Sequence, residues 1–559
     1  MFNSFKNFFS GKKQPANQQQ QQQQQQGLNM QYQQNAYIPQ QQYMSNMMPQ
    51  QQMMYQGPSL SATPLDPDTL AWKDSEDPVV ALPHDKQEEH IAKEIPPLAE
   101  CLVITPTLDS NYIVHDSAGQ RKGLMITINE TKMGQSDKDT TKVDIVCIID
   151  NSGSMSGSKL DNVKTTLKSL LEILKGSRIA LVLFDSNASM LMNFKTVNDD
   201  NVPRITKVIE SIQALNSTNI TAGVHVSQNL LGSRATKNNA ASMFLLSDGQ
   251  HNQGPINNDI LFKDDFARTN AEYTLHTFGY GDDHDAKLMQ SMAERKAGNY
   301  YFVNDIKRVD ECFFDCLGMV TTSLATKGRL TLKLLPTSFY PEIRVVRTFG
   351  SYLTKKSDNE VEIAIENIYA GIKKNYLLEV EFDGAKKLVE APVVATIGEL
   401  NFLCSELGKA AQTTLHSTFT VQIEPKTTAV LLVQNLEVKK NYFRVKGGEL
   451  MKEADEKRNS GQGKEAIIML EDFKKDLQKV TELAQDPLTT TLISQINHII
   501  KMINNDLSGI ANECLTKNYM MQQANYFANE QSAPLYESKA MFSNAQQSRN
   551  MKALSKMKK

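Results

Sequence analysis

The stretch VDIVCIIDNSGSMSGSK, residues 143–159, decides how the rest of the chain is read. Val143 to Ile149 form an apolar, largely β-branched run interrupted only by Asp144, the pattern of a strand buried on both faces of a parallel sheet. The run ends in Asp150-Asn151-Ser152-Gly153-Ser154, which sets three oxygen-bearing side chains at alternate positions on a loop kept tight by glycine. Leu160, Val163, Leu167, Leu170, Leu171 and Leu174 then fall on one face of a helix. Carboxylate and hydroxyl oxygens gathered at the carboxyl end of a parallel strand suit a small hard cation such as Mg²⁺.

Asp-x-Ser-x-Ser after a buried strand resembles the metal-ion-dependent adhesion site (MIDAS) of von Willebrand factor A (vWA) domains. The resemblance implies a threonine and an aspartate from later loops. Thr218-Asn-Ile-x-x-Gly, within Asn216 to Val224, is similar to the family's threonine loop, although Asn216-Ser217 stands where the family usually has glycines. Ser242 to Ser247 (SMFLLS) reads as another buried strand and ends in Asp248-Gly249, the context of the family's last ligand. The implied metal set is therefore Asp150, Ser152, Ser154, Thr218 and Asp248, holding Mg²⁺ or Mn²⁺ in preference to Ca²⁺. In the family the serines, and sometimes the threonine, touch the ion directly, and the aspartates act mostly through water. Few anionic ligands would leave the ion electrophilic, with one position for an Asp or Glu of a protein partner. The implied function is metal-dependent protein–protein interaction without catalysis. A scaffold or ubiquitin-pathway adaptor, binding through other parts of the chain, is the alternative. An enzyme is the weaker reading: a metal with an open position can activate water, but no base or nucleophile constellation accompanies it. The spacing of Gly153 to Lys159 is also not that of a phosphate-binding loop.

The 559 residues have room for three or four domains. A hydrophobic content of 40% and a net charge of -3 give no bias toward nucleic acid. No apolar run reaches transmembrane length, and the N-terminus lacks the apolar core of a secretory signal. Six scattered cysteines fit a reduced, cytoplasmic chain better than a disulfide framework. Residues 1–95, with Gln18 to Gln26 unbroken, read as disordered. Phe2, Phe5, Phe8 and Phe9 beside Lys6, Lys12 and Lys13 would suit a peripheral membrane anchor, but a sticky disordered end explains them better.

Strand and helix patterns alternate across residues 140–325: Ile179 to Phe184, a helix through Val202, Ile205, Val208, Ile209, Ile212 and Leu215, Tyr273 to Phe278, a short helix near Met289, Asn299 to Val303, and a helix carrying Val309 to Val320. This is a doubly wound α/β (Rossmann-like) domain. Cys101 to Thr105 and Gly123 to Ile128, within residues 96–135, read as strands that need later partners. Arg329 to Leu335, Glu342 to Val346, Val361 to Ile365, Tyr376 to Phe382 and Leu388 to Ile397, within 326–425, supply them as an antiparallel β-sandwich. The α/β domain is then inserted in the sandwich, or followed by it. Residues 426–520, from about Thr427, read as two or three helices forming a hairpin, broken at Gly461 and Gly463, and residues 521–559 as a polar, basic tail.

Two further motifs take structural readings. In Thr277 to Asp285 (TFGYGDDHD), similar to a stretch in a eukaryotic group of vWA proteins, the glycines permit a sharp turn and Asp283 or Asp285 caps the next helix; a second metal at His284 lacks further ligands. Cys312 and Cys316 read as buried thiols, because no histidine or cysteine pair accompanies them. Residues 100–510 also resemble plant vWA proteins with a RING finger and eukaryotic vWA proteins with a Hedgehog-intein-like module, sharing Asp144-Ile145-Val146, Leu246-Ser247-Asp248-Gly249 and Ile368-Tyr369-Ala370-Gly371. No Cys-x-x-Cys pair exists to build a RING, and no self-splicing segment is recognisable.

Overall fold

A computed structural model describes residues 65–79, 97–115 and 119–131, residues 141–530 apart from 216, 249–250, 253–255, 283, 304–308, 351, 385–388, 408–411, 426–432 and 510–512, and Gln547 and Asn550. The chain divides into units 1–61 and 62–559, and every described residue belongs to the second. The glutamine run, the Phe/Lys segment and most of the expected tail lie outside the described residues.

The first helix, α1 (Pro67–Asp74), lies inside the span expected to be disordered and corrects it. Asp66 starts it by accepting the Thr69 N–H at 2.8 Å, with Pro67 at the first helical position. Its order comes from distant chain. The Trp72 ring lies under the Lys195 ammonium at 4.6 Å, and Asp77 accepts from Lys195 at 3.1 Å and from the Thr196 N–H at 3.0 Å. Local composition carries no trace of such partners.

Strands β1 (Leu102–Leu108), β2 (Ile113–Val114) and β3 (Gln120–Glu130) precede the α/β domain. That domain contains β4 (Val143–Asp150), α2 (Ser158–Ile173), β5 (Arg178–Phe184), β6 (Ala188–Thr196), α3 (Val202–Glu210), α4 (Ile220–Gly232), β7 (Ala240–Ser247), β8 (Thr274–Tyr280), α5 (Ala286–Arg295), β9 (Tyr300–Val303) and α6 (Val309–Val320). The sheet order is β6-β5-β4-β7-β8-β9, parallel except for the antiparallel edge strand β6. Every residue of β4 is buried, as a central strand covered by helices on both faces requires. The expected helix through Leu215 stops at Glu210. Beyond it the Leu215 N–H is given to the Asn151 carbonyl at 2.6 Å, which ties this loop to the one after β4. Cys312 and Cys316 are buried in the domain's core, and Asp285 caps α5 by accepting the Leu288 N–H at 3.1 Å. A side chain on Gly279 would collide with the His284 ring, which is fixed by the Gly281 carbonyl at 2.7 Å and the Tyr300 hydroxyl at 2.6 Å.

After the α/β domain come β10 (Ser323–Leu334), β11 (Glu342–Thr348), β12 (Leu353–Ser357), β13 (Glu360–Tyr369), β14 (Lys373–Asp383), β15 (Val393–Glu406) and β16 (Gln412–Glu424). They form two sheets with the early strands, β1-β3-β14-β11 and β12-β13-β10-β15-β16-β2, whose inner faces share one apolar core. The β3–β14 ladder runs from Gln120↔Phe382 to Asn129↔Lys373, so the α/β domain is threaded between two strands of one body. β15 starts at Val393, later than the expected Leu388, and continues to Glu406.

Next come α7 (Leu436–Asn459), α8 (Gly463–Gln478), α9 (Pro487–Leu507) and α10 (Glu513–Asn529). Asn435 caps α7, so that helix begins later than Thr427; Val433 to Asn435 instead run beside Asp109 to Asn111. α10 corrects the expected tail at 521. Its Asn518 amide donates to the Asp282 carbonyl at 2.8 Å, and after it Glu530 accepts from the Asn375 N–H at 2.8 Å and pairs with buried Arg444 at 3.2 Å. Gln547 donates to Asp315 and Asn550 to the Phe314 carbonyl, each at 3.1 Å. Among the described residues no helix is long and apolar enough to cross a membrane.

Candidate metal centre

The loop after β4 is shaped by its own backbone. Ser152 to Met155 make one tight turn, closed by the Met155 N–H on the Ser152 carbonyl at 3.0 Å, and the Met155 side chain is driven into the core. Gly157 then takes φ +77, a left-handed conformation open to glycine, and turns the chain into α2. The loop therefore hangs at the carboxyl edge of the sheet with Ser152 and Ser154 facing back over β4 and β7.

Four of the five expected ligands meet there. Asp150 Oδ1 accepts the Ser152 N–H at 2.9 Å, and its other oxygen accepts from the Ser247 hydroxyl. The Ser152 and Ser154 hydroxyls are 3.0 Å apart, and Ser154 donates to Asp248 Oδ1 at 3.1 Å. Each hydroxyl has one proton, and that of Ser152 can go to Ser154 or to Asp150, so Ser152, Ser154 and Asp248 form one hydrogen-bonded cluster. Asp150 and Asp248 are both buried, whereas Ser154 is exposed and opens the cluster to solvent. Burial pushes the Asp150 carboxyl up to about 6; its hydrogen bonds oppose this, and the charge of Asp248 adds to it.

Thr218, the fifth expected ligand, is held by its own loop. Its N–H donates to the Asn252 side chain at 3.0 Å, and the Asn252 N–H returns to its carbonyl at 3.2 Å. Asn219 caps α4 by accepting the Ala222 N–H at 3.1 Å, and Gly223 lets that helix approach Phe184 and Ile148, where a Cβ would lie 2.9 Å from the phenyl ring. Thr218 is 2% exposed, and no hydrogen bond among the described residues joins it to the other four. Asn216 lies outside the described residues; Ser217 bonds Ser186 through their hydroxyls at 2.7 Å.

Three contributors were not anticipated. Ser247 pins Asp150, Asn252 holds Thr218, and the Lys159 ammonium lies 2.9 Å from Asp248 Oδ2. Ser247 and Lys159 stand inside stretches the sequence already singled out, but polar residues flanking a motif do not reveal which ligand they touch. Asn252 follows Asp248 on a loop with no pattern of its own.

The family description for the von Willebrand factor type A domain matches this part of the chain. Residues 144–313 are a vWA domain. An uncharacterized protein of Synechocystis is 25% identical over 195 residues, which is 35% of this chain and 45% of that protein. Human inter-alpha-trypsin inhibitor heavy chain H4 is 26% identical over 166 residues, 28% of this chain and 18% of that one. The chain thus matches less than half the length of these relatives. The solved structure of a von Willebrand factor type A protein from Catenulispora acidiphila superposes with a TM-score of 0.55 at 13% identity, covering 77% of this chain and 96% of that one. The shared fold therefore reaches well beyond the vWA domain. Such domains generally serve as protein-interaction modules and commonly bind a divalent cation at the loop described above. The donors present here fit one: two buried carboxylates and hydroxyl groups are hard oxygen ligands. Among the described residues no group of three or more His, Cys, Asp or Glu side chains could hold a metal.

Proposed function

We propose that the protein captures an acidic partner protein through a divalent cation, Mg²⁺ or Mn²⁺, held by Ser152, Ser154 and Thr218 with Asp150 and Asp248 behind them. The observation that carries this reading is the hydrogen-bonded cluster of Ser152, Ser154 and Asp248 at the carboxyl edge of the sheet, with Ser154 facing solvent. A bound ion supplies an electrophilic position for an Asp or Glu side chain of the partner. The residues of this chain do the rest. The serine hydroxyls are neutral donors and leave the ion's charge largely unspent, Ser247 and the Ser152 N–H keep Asp150 turned toward the loop, and Asn252 keeps Thr218 in place. On this reading the protein is a binder and not an enzyme, and it works in a reducing compartment such as the cytoplasm.

Thermal unfolding of the full chain in EDTA, Mg²⁺, Mn²⁺ or Ca²⁺ tests it. An ion at a hundred times its dissociation constant adds about 2.7 kcal/mol. The expected result is a raised midpoint with Mg²⁺ or Mn²⁺ that disappears in Asp150→Ala and Asp248→Ala, together with loss of partner capture in EDTA. Capture of the same partner by either variant in EDTA would shift the function to the two-sheet body and the helices, as a scaffold.

A further inference from the structure

The Asp248 carboxylate already has a cation from this chain. Lys159 Nζ lies 2.9 Å from Asp248 Oδ2, while Ser154 holds Oδ1 at 3.1 Å, so both oxygens are engaged. The two partners differ in exposure. The Asp248 side chain is 1% exposed at the end of a central strand, whereas the Lys159 side chain is 28% exposed. Lys159 is the second residue of α2, and its backbone is fixed by the left-handed turn at Gly157. Its unbranched four-carbon stem can swing the ammonium outward without moving the helix. Among the described residues Asp150 has no such cation: its hydrogen bonds come from the N–H and side chain of Ser152 and from the Ser247 hydroxyl.

We propose that Lys159 is a built-in counter-cation that holds Asp248 until a divalent ion arrives, and that its displacement or repulsion sets how tightly the centre takes that ion. The inference rests on the metal-dependent reading above. A single charge on Lys159 keeps one of two closely placed buried carboxylates neutralised, which stops them from repelling each other open. A dipositive ion reaching Ser154 and Asp248 must approach within a few ångströms of the ammonium, and like charges at that range in a partly buried setting repel strongly. Lys159 therefore preserves the shape of the loop at the expense of affinity, and the centre fills only when free divalent ion is plentiful or when a partner carboxylate adds its own attraction.

The test uses the full chain with Mg²⁺ and Mn²⁺ as probes, followed by titration calorimetry, with unfolding in EDTA recorded in parallel. Lys159→Met keeps the stem and removes the charge; Lys159→Arg keeps the charge. The expected result is that K159M binds Mg²⁺ at least about tenfold tighter than the wild type and unfolds at a lower temperature in EDTA, while K159R keeps the weaker affinity. Should K159M not fold, K159Q gives the same reading of charge. Equal Mg²⁺ affinity in wild type and in the uncharged variant would overturn the counter-cation and leave the metal-dependent reading standing. No binding of either ion by wild type, K159M or K159R would overturn both.

Discussion

Strand β4 carries an aspartate near each end, and the two have opposite fates. Asp144 is fully buried, yet it is completely matched: Arg178 grips it with two hydrogen bonds of 2.8 Å, Arg234 adds one of 2.6 Å, and Asn238 donates from backbone and side chain. Burial would raise its carboxyl, but the hydrogen bonds and charge of Arg178 and the charge of Arg234 hold it below the ordinary range. Asp150 is just as fully buried and receives hydrogen bonds from Ser152 and Ser247 but no guanidinium, so burial wins and its carboxyl rises to about 6. The difference teaches how to separate a structural carboxylate from a functional one on the same strand. On the proposed reading, a carboxylate matched by cations serves the fold, and one with no counter-ion among the described residues is held for the ion that arrives later.

The comparison can be broken at several points. The largest effect belongs to Asp144→Ala, which strips buried Arg234 of its carboxylate and leaves buried Arg178 with Glu76 alone. A loss of about 3–5 kcal/mol is expected in urea unfolding, the same in EDTA and in Mg²⁺. A loss below about 1 kcal/mol, or one that Mg²⁺ repairs, would erase the distinction. Asp150→Asn has the opposite sign. A folded carboxyl raised to about 6 contributes stability below its ordinary value, and that contribution is lost as pH rises through about 6. In EDTA at pH 7.5 the variant is therefore expected to be more stable than wild type, by up to about 3 kcal/mol. The gap should close as pH falls to about 4, and a less stable variant at pH 7.5 would refute the assignment. The smallest effect is Glu76→Gln. Glu76 accepts from Arg178 at 2.9 Å and from the Ala235 N–H at 2.9 Å, at the far end of the sheet from the metal loop. It should cost about 1 kcal/mol and leave Mg²⁺ affinity unchanged; a changed affinity would mean that the two ends of β4 are coupled.

What the sequence disclosed and what it hid follow from the range of the forces involved. The buried run Val143 to Ile149 and the serine loop after it are local, so β4 and its loop were legible from patterns of a few residues, whereas the meeting of Ser154 with Asp248, 94 residues on, was expected only from the resemblance to vWA domains. The strands before the vWA domain also announced that they needed partners, because CLVIT and GLMITI are too apolar to stand by themselves. The edge strand Ala188–Thr196 was not legible: Ser189, Asn193 and Lys195 dilute its apolar pattern, and it becomes a strand by pairing with β5. Helix α1 was hidden for a related reason. Its neighbourhood reads as linker, and it is ordered by Lys195, Arg178 and Asn201, all more than 100 residues away. Lys159 was visible as a residue and invisible as a partner, since sequence spacing does not show which of several carboxylates an ammonium will meet.

The threading of the vWA domain between β3 and β10 has a consequence for how the protein is made. Thr141, just before the domain, donates its N–H to the Thr321 carbonyl just after it at 2.8 Å, so the insert leaves and rejoins the body through two adjoining strands of chain. Strand β3 pairs with β14, whose first residue is synthesised about 240 residues later. At 5–20 residues per second the ribosome keeps β3 waiting for roughly 12–50 seconds, with only the short β1 beside it. The vWA domain, complete well before β14 appears, can fold in that interval and draw the two ends of its insert together. It can then act as the template that delivers the second half of the body to the first, so a mutation that slows folding of the vWA domain should appear first as aggregation of the strands that surround it.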